Sequence, residues 1–229
     1  MPDDPLVRGE ITMTARKQSA LAALLLLSVL PAGAQMFGRP QIPRGVFNPV
    51  VGAGAQYEMQ SGNQPKRIME FAIVGKENVS GQDGYWLEFT VSGTPMGDVV
   101  VKELAVVTNG NMVMSKMIMQ MPGRPPMEMP SQMQSANHGT NLADIRNKAE
   151  DLGTESVTTP AGTFSCDHYR MKDGSGDAWV SEKVHPFGLV KYQEKDSTTI
   201  LTKTLADVQD KITGTPVPFN PMNMMPPRN

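Results

Sequence analysis

Side chains alternate with a period of two through most of this chain, and that pattern constrains the fold more than any other feature. Tyr85, Leu87, Phe89 and Val91 alternate with Trp86, Glu88 and Thr90, and Met69, Phe71 and Ile73 repeat the pattern within residues 66–76. Successive side chains of an extended strand point to opposite faces, so both stretches are predicted strands with one buried face. Residues 98–108 are Val-rich and strand-like, Asn109-Gly110-Asn111 supplies a hairpin turn, and residues 112–121 form the returning strand. Further strands are predicted at 154–159, 163–171, 177–182, 189–195 and 198–208, with Pro160-Ala161-Gly162, Asp173-Gly174-Ser175-Gly176 and Pro186 between them. Short neighbouring strands joined by short turns indicate an antiparallel meander. Four prolines make residues 122–130 a loop. One helix is predicted, over 141–152, where Leu142, Ile145, Ala149 and Leu152 share a face between Asn141 as N-cap and Gly153 as stop.

The strand pattern is preceded by a segment of another kind. Arg16 and Lys17 lead into an apolar run over 20–30, Pro31 ends it, and Ala32-Gly33-Ala34 follows. A basic start, a short apolar core and an A-x-A exit are the parts of a secretory signal peptide, here over residues 1–34. The run is shorter than the roughly 20 residues needed to span a bilayer as a helix. The mature chain is therefore expected to begin at Gln35, in the periplasm or outside the cell, with no integral membrane segment left after cleavage. Asp3, Asp4 and Glu10 are out of place ahead of a signal core, so translation from Met13 is the simpler reading. Residues 35–54 read as a flexible leader, 55–212 as the β domain, and 213–229 as a disordered tail rich in Pro and Met.

Net charge is −2, and cleavage leaves it unchanged because the signal segment holds as many basic as acidic residues. Without a basic field, neither nucleic acid nor an anionic membrane is expected as a partner. Cys166 is the one cysteine, so an exported chain of this kind must be stabilised by its core and not by a disulfide.

Two fragments carry a family resemblance. The stretch VTTPAGTFSCDHYRM (157–171) is similar to the Pro-Ala-Gly-Thr-Phe-x-Cys element of certain bacterial exported proteins of unassigned function. The stretch AWVSEKVHPFGLVKYQ (178–193) is similar to their Trp-Val-Ser-x-x-Val-Pro-x-Gly-Leu-Val-Lys element, with His185 before Pro186 as a departure. These proteins resemble the periplasmic lipoprotein-carrier, or LolA-like, superfamily. The resemblance covers about 157–203. It implies a mainly β fold, a curved antiparallel sheet forming an incomplete barrel with one covering helix, and a concave side able to hold acyl chains. It brings no catalytic residues with it.

Chemistry has few candidates. The chain has 18 methionines, and Met112, Met114, Met117, Met119, Met121, Met127, Met129 and Met133 cluster in one stretch. Thioethers are soft ligands, and three of them can hold Cu(I). Met is also a flexible apolar residue that lines adaptable surfaces. On alternation alone, Met117, Met119 and Met121 share one face, while Ser115-Lys116 shifts the parity and sends Met112 and Met114 to the other. Cys166 and His168 point the same way from one strand, but a zinc site needs four ligands and no second close pair accompanies them; a buried thiol beside a hydrogen-bonded His is expected. Asp173 to Asp177 resembles half a calcium loop without its later Glu, and reads as a turn. No nucleophile elbow, zincin, P-loop or dinucleotide motif is present.

The expectation is thus a non-enzymatic carrier or binding protein without cofactor or metal, taking an apolar small molecule or acyl chain on a face formed by Met69, Phe71, Leu87, Phe89, Met117, Met119 and Trp179. The alternatives are a Met-rich Cu(I)-binding protein and a structural or partner-binding module of the cell envelope that uses the tail as its contact.

Overall fold

The computed structural model describes residues 47–94, 97–108, 111–130, 140–141 and 148–220. The expected signal segment over 1–34, the expected turn at Asn109-Gly110, Met133, His138 and residues 221–229 fall outside them. Among the described residues, thirteen strands form one sheet. In chain order they are β1 (Gly54–Ser61), β2 (Arg67–Val79), β3 (Gln82–Ser92), β4 (Val99–Thr108), β5 (Asn111–Gln120), β6 (Met127–Glu128), β7 (Thr140–Asn141), β8 (Ala149–Thr159), β9 (Gly162–Met171), β10 (Asp177–Val180), β11 (Leu189–Gln193), β12 (Ser197–Leu205) and β13 (Val217–Pro218). Across the sheet the order is β13-β6-β5-β4-β3-β2-β1-β12-β11-β10-β9-β8, with β7 added on β5. Each pairing is antiparallel except β13 with β6. Two meanders, β1 to β6 and β8 to β12, are joined where β1 pairs with β12.

Local sequence explains the hairpins. Val79 pairs with Gln82 across Ser80-Gly81, both at positive φ, and the Asn78 side chain accepts a hydrogen bond from the Gly81 N–H at 2.9 Å. That backbone suits a two-residue turn between twisted strands. At Gly54 the need is space: a Cβ there would lie 2.4 Å from the Phe71 carbonyl oxygen.

The core lies on one face of the sheet. Ala55, Tyr57, Met69, Phe71, Ile73 and Leu87 are buried there by direct cross-strand pairing. The Tyr57 hydroxyl donates to the Leu189 carbonyl at 3.0 Å, which ties β1 to β11, and burial pushes its pKa up. Over this face lies the connection between β10 and β11. Phe187 stands edge-on to Phe71 at 5.8 Å and against Phe47 at the same distance. His185, the departure noted in the sequence, earns its place here: its Nδ1 is 2.9 Å from the Asn48 carbonyl oxygen, and the Asn48 N–H donates to the Pro186 carbonyl at 2.8 Å.

Two expectations are corrected. The helix over 141–152 is not seen: Thr140–Asn141 is strand β7, and residues 149–152 belong to β8, where Ala149 faces Met171 and Glu150 faces Arg170. Residues 142–147 lie outside the described residues. Leu152 is 40% exposed beside a bulge, so its spacing marks an irregular strand and not an apolar helix face. The tail is ordered in its first part: Thr213 is hydrogen-bonded to Gln120, and Val217–Pro218 pairs with β6.

Candidate functional site

Register places the predicted face residue by residue. Ala55, Phe71, Phe89, Val101, Met119 and Met127 are successive cross-strand partners from β1 to β6, forming one row across six strands. A neighbouring row runs Ile73, Leu87, Glu103, Met117, and Tyr57, Met69, Val91, Val99 runs on the other side. Directly paired side chains share a face. Met69, Phe71, Leu87, Phe89, Met117 and Met119 are therefore brought together. Phe71 and Phe89 stack with ring centroids 5.0 Å apart. Met69, Phe71, Leu87 and Met117 are buried, whereas Phe89, Val91, Val101 and Met119 are only half-buried and form the accessible part of the face.

Trp179 lies outside these rows, although it packs against the hydrophobic cluster that contains Met69, Phe71 and Leu87. It pairs with Lys191, which pairs with Ile200, which pairs with Glu58, while Tyr57 pairs with Leu201. In register Trp179 therefore aligns with Glu58 and not with Tyr57. Its ring stacks on His168 at 4.5 Å and 19°, lies under the Lys191 ammonium at 4.6 Å, and donates its N–H to Glu155. Alternation alone could not separate the faces across strands whose pairing was unknown.

The methionine parity is also corrected. Ala105 pairs with Met114 and Leu104 with Lys116, so Ser115 is the extra residue of a β-bulge. The bulge absorbs the parity shift. Met112, Met114, Met117 and Met119 oppose Val107, Ala105, Glu103 and Val101, and all four methionines lie on the core face.

At Cys166 and His168 the expectation of a buried thiol agrees with the geometry. Cys166 is fully buried, and its thiol is pushed up to about 11, first by burial and then by Asp167 and Glu155. His168 Nδ1 is 3.2 Å from a Glu155 carboxylate oxygen, and its buried Nε2 is 3.6 Å from Asp177 without a hydrogen-bond partner. Arg170 clamps Asp177 through two hydrogen bonds of 2.9 and 3.0 Å and holds its carboxyl below the usual range. His185 is committed to Asn48. Among the described residues no group of three or more His, Cys, Asp or Glu side chains is placed to hold a metal ion. At the supposed calcium half-loop, Asp173 accepts the Ser175 N–H at 2.9 Å in a turn.

One cluster had no signal in the sequence. After β12 the chain crosses the face opposite the core. The Lys211 N–H donates to Glu88 at 2.9 Å, and its ammonium donates to Thr90 at 3.1 Å and to Glu70. Asp210 pairs with Lys102, and the Thr213 N–H donates to the Gln120 side chain at 3.1 Å. Glu88 is only 2% exposed beneath this strap. Alternation within its strand gives no sign of this burial, because a covering segment from far along the chain leaves no local trace.

No helix among the described residues is long and apolar enough to cross a membrane. No family model matches the chain, and no curated protein matches it significantly. Two solved structures are similar to it. One, a protein from Bacteroides fragilis described as exported and with a YmcC-like fold, is 14% identical, with a TM-score of 0.39 over 70% of this chain and 99% of its own. The other, from Parabacteroides distasonis and described as a lipoprotein, is 17% identical, with a TM-score of 0.38 over 70% of this chain and 98% of its own.

Proposed function

We propose that the protein is an exported, non-enzymatic binding or carrier protein, periplasmic or secreted, that takes an apolar small molecule or acyl chain on its Phe/Met face. The supporting observation is the row Phe71, Phe89, Val101, Met119, apolar across four strands and only half-buried at its last three members. In this reading the sheet curves as an incomplete barrel of the LolA-like kind. Methionine suits such a face because its unbranched side chain re-packs around ligands of different shape. Phe89 and Met119 would contact the ligand first, and the buried methionines behind them would yield to admit it. Trp179 lies outside this row and is not a first contact for the ligand in this reading.

The test is titration of the purified protein with a fluorescent long-chain fatty acid, together with mass spectrometry of lipid extracted from the protein. Phe89→Gln and Met119→Gln should each weaken probe binding about tenfold, since burying an unpaired amide costs about 1–3 kcal/mol. Trp179→Gln should leave binding unchanged. Wild-type protein that carries no lipid and ignores the probe refutes the proposal.

A further inference from the structure

The four methionines at the β5–β6 junction form a compact group. Met119 pairs directly with Met127, and the Met129 N–H donates to the Met117 carbonyl at 2.8 Å, continuing the same antiparallel register. Met117 and Met119 are two residues apart on β5, and Met129 follows β6 two residues after Met127, held in the same register by its hydrogen bond to Met117, so all four side chains rise from the same face as a two-by-two grid. Directly opposed Cβ atoms of an antiparallel pair are about 5 Å apart and diagonal ones about 7–8 Å. A methionine sulfur sits two bonds beyond its Cβ on freely rotating torsions, so the grid can direct at least three thioethers at one point above the ladder.

We propose that Met117, Met119, Met127 and Met129 form a site for a soft monovalent cation, Cu(I) or its analogue Ag(I). Neutral thioether sulfur selects such ions. Zn(II) is held by thiolate, imidazole or carboxylate, and magnesium and calcium by oxygen. Three of the four side chains are withdrawn from water, Met117 at 7%, Met127 at 0% and Met129 at 8% exposure, which keeps water from the ion. Met119 is half-buried and gives the ion its way in. The site does not depend on acyl binding, because it uses the sulfur of these residues and not their apolar bulk.

The experiment titrates the purified protein, under argon with ascorbate, against Cu(I) held by the colorimetric chelator bicinchoninate. Wild type should withdraw one equivalent. Met119→Leu/Met127→Leu/Met129→Leu keeps volume and apolarity, and such swaps usually cost under about 1.5 kcal/mol each. It should hold Cu(I) at least about 100-fold less tightly, a larger loss than removal of a merely supporting group gives. Met171→Leu, on β9, should bind as wild type. Circular dichroism and melting report whether each variant is folded. If the triple variant unfolds, X-ray absorption of the wild-type Cu(I) complex decides instead, with a shell of sulfur alone as the expected result. Copper left with the chelator by wild type, copper held equally by a folded triple variant through Cys166 or the tail methionines, or a shell containing nitrogen or oxygen overturns the site.

Discussion

Glu88→Gln should stabilise this protein at alkaline pH and lose that advantage in acid. Glu88 lies on β3 beneath the strap, 2% exposed. Burial pushes its carboxyl up from 4.5 to about 7; the Lys211 N–H pulls it back, and the negative charge of Asp210 beside it pushes further. Glu70 on β2, Lys102 on β4 and the Lys211 ammonium complete the charged surroundings. A pKa raised on folding means that the folded state favours the protonated acid. Its stabilising contribution is present below about pH 4.5 and is lost as the pH rises through about 7. At about 1.4 kcal/mol per unit, the loss amounts to about 3 kcal/mol. Gln stays neutral, and its carbonyl oxygen can still accept the Lys211 N–H. The stability of Glu88→Gln relative to wild type should therefore rise by about 3 kcal/mol between about pH 4.5 and about pH 8.5, or about 10 °C in melting temperature. Denaturant and thermal melts of both proteins, at constant ionic strength across that range, measure it. Asp210, Glu70 and the lysines are common to both proteins and cancel to first order. A gap that does not change with pH, or one that moves toward wild type as the pH rises, refutes the reasoning.

Three further outcomes follow from the packing. Gly54→Ala should cost about 2–3 kcal/mol in denaturant melts, because its Cβ would meet the Phe71 carbonyl oxygen at 2.4 Å and the Ala72 side chain at 2.8 Å. Deleting Ser115 should abolish cooperative unfolding, because without the bulged residue Met112 and Met114 must turn away from the core when Met117 and Met119 keep their places; a folded deletion variant with unchanged near-ultraviolet dichroism would contradict this. Cys166 should resist a thiol reagent at about pH 8 in native protein and react once urea unfolds the chain, since the thiol is fully buried and pushed up to about 11.

How much of this was legible in the sequence depended on distance along the chain. Strand existence was plain because alternation is local: Tyr85 to Val91 and residues 163–171 fall within β3 and β9. The sharing of one face by Met69, Phe71, Leu87 and Phe89 became certain only with the β2–β3 register. Methionine parity failed at Ser115 because a bulge inserts one unpaired residue that resets the alternation, and a periodic count cannot show where the extra residue is absorbed. The predicted helix failed over 149–152 because the pairing of Ala149 with Met171 overrode a helical spacing interrupted by the Leu152-Gly153 irregularity. The register of Trp179 and the burial of Glu88 were illegible for one reason: each is decided by a partner distant along the chain, Lys191 and Ile200 for the one and Lys211 for the other.

The pairing of β1 with β12 also has a consequence for timing. Gly54 finds its partner in Leu205, and Val217–Pro218 closes on β6 later still along the chain. A chain emerging from its amino-terminal end can form the β2–β3 and β3–β4 hairpins early, but the open edge of β1 stays unpaired until almost the whole polypeptide has appeared. Contacts of such large sequence separation are slow to form, and an unpaired edge invites other strands in the meantime. The free edge of β1 therefore finds its own partner only once residues 197–205 have been made.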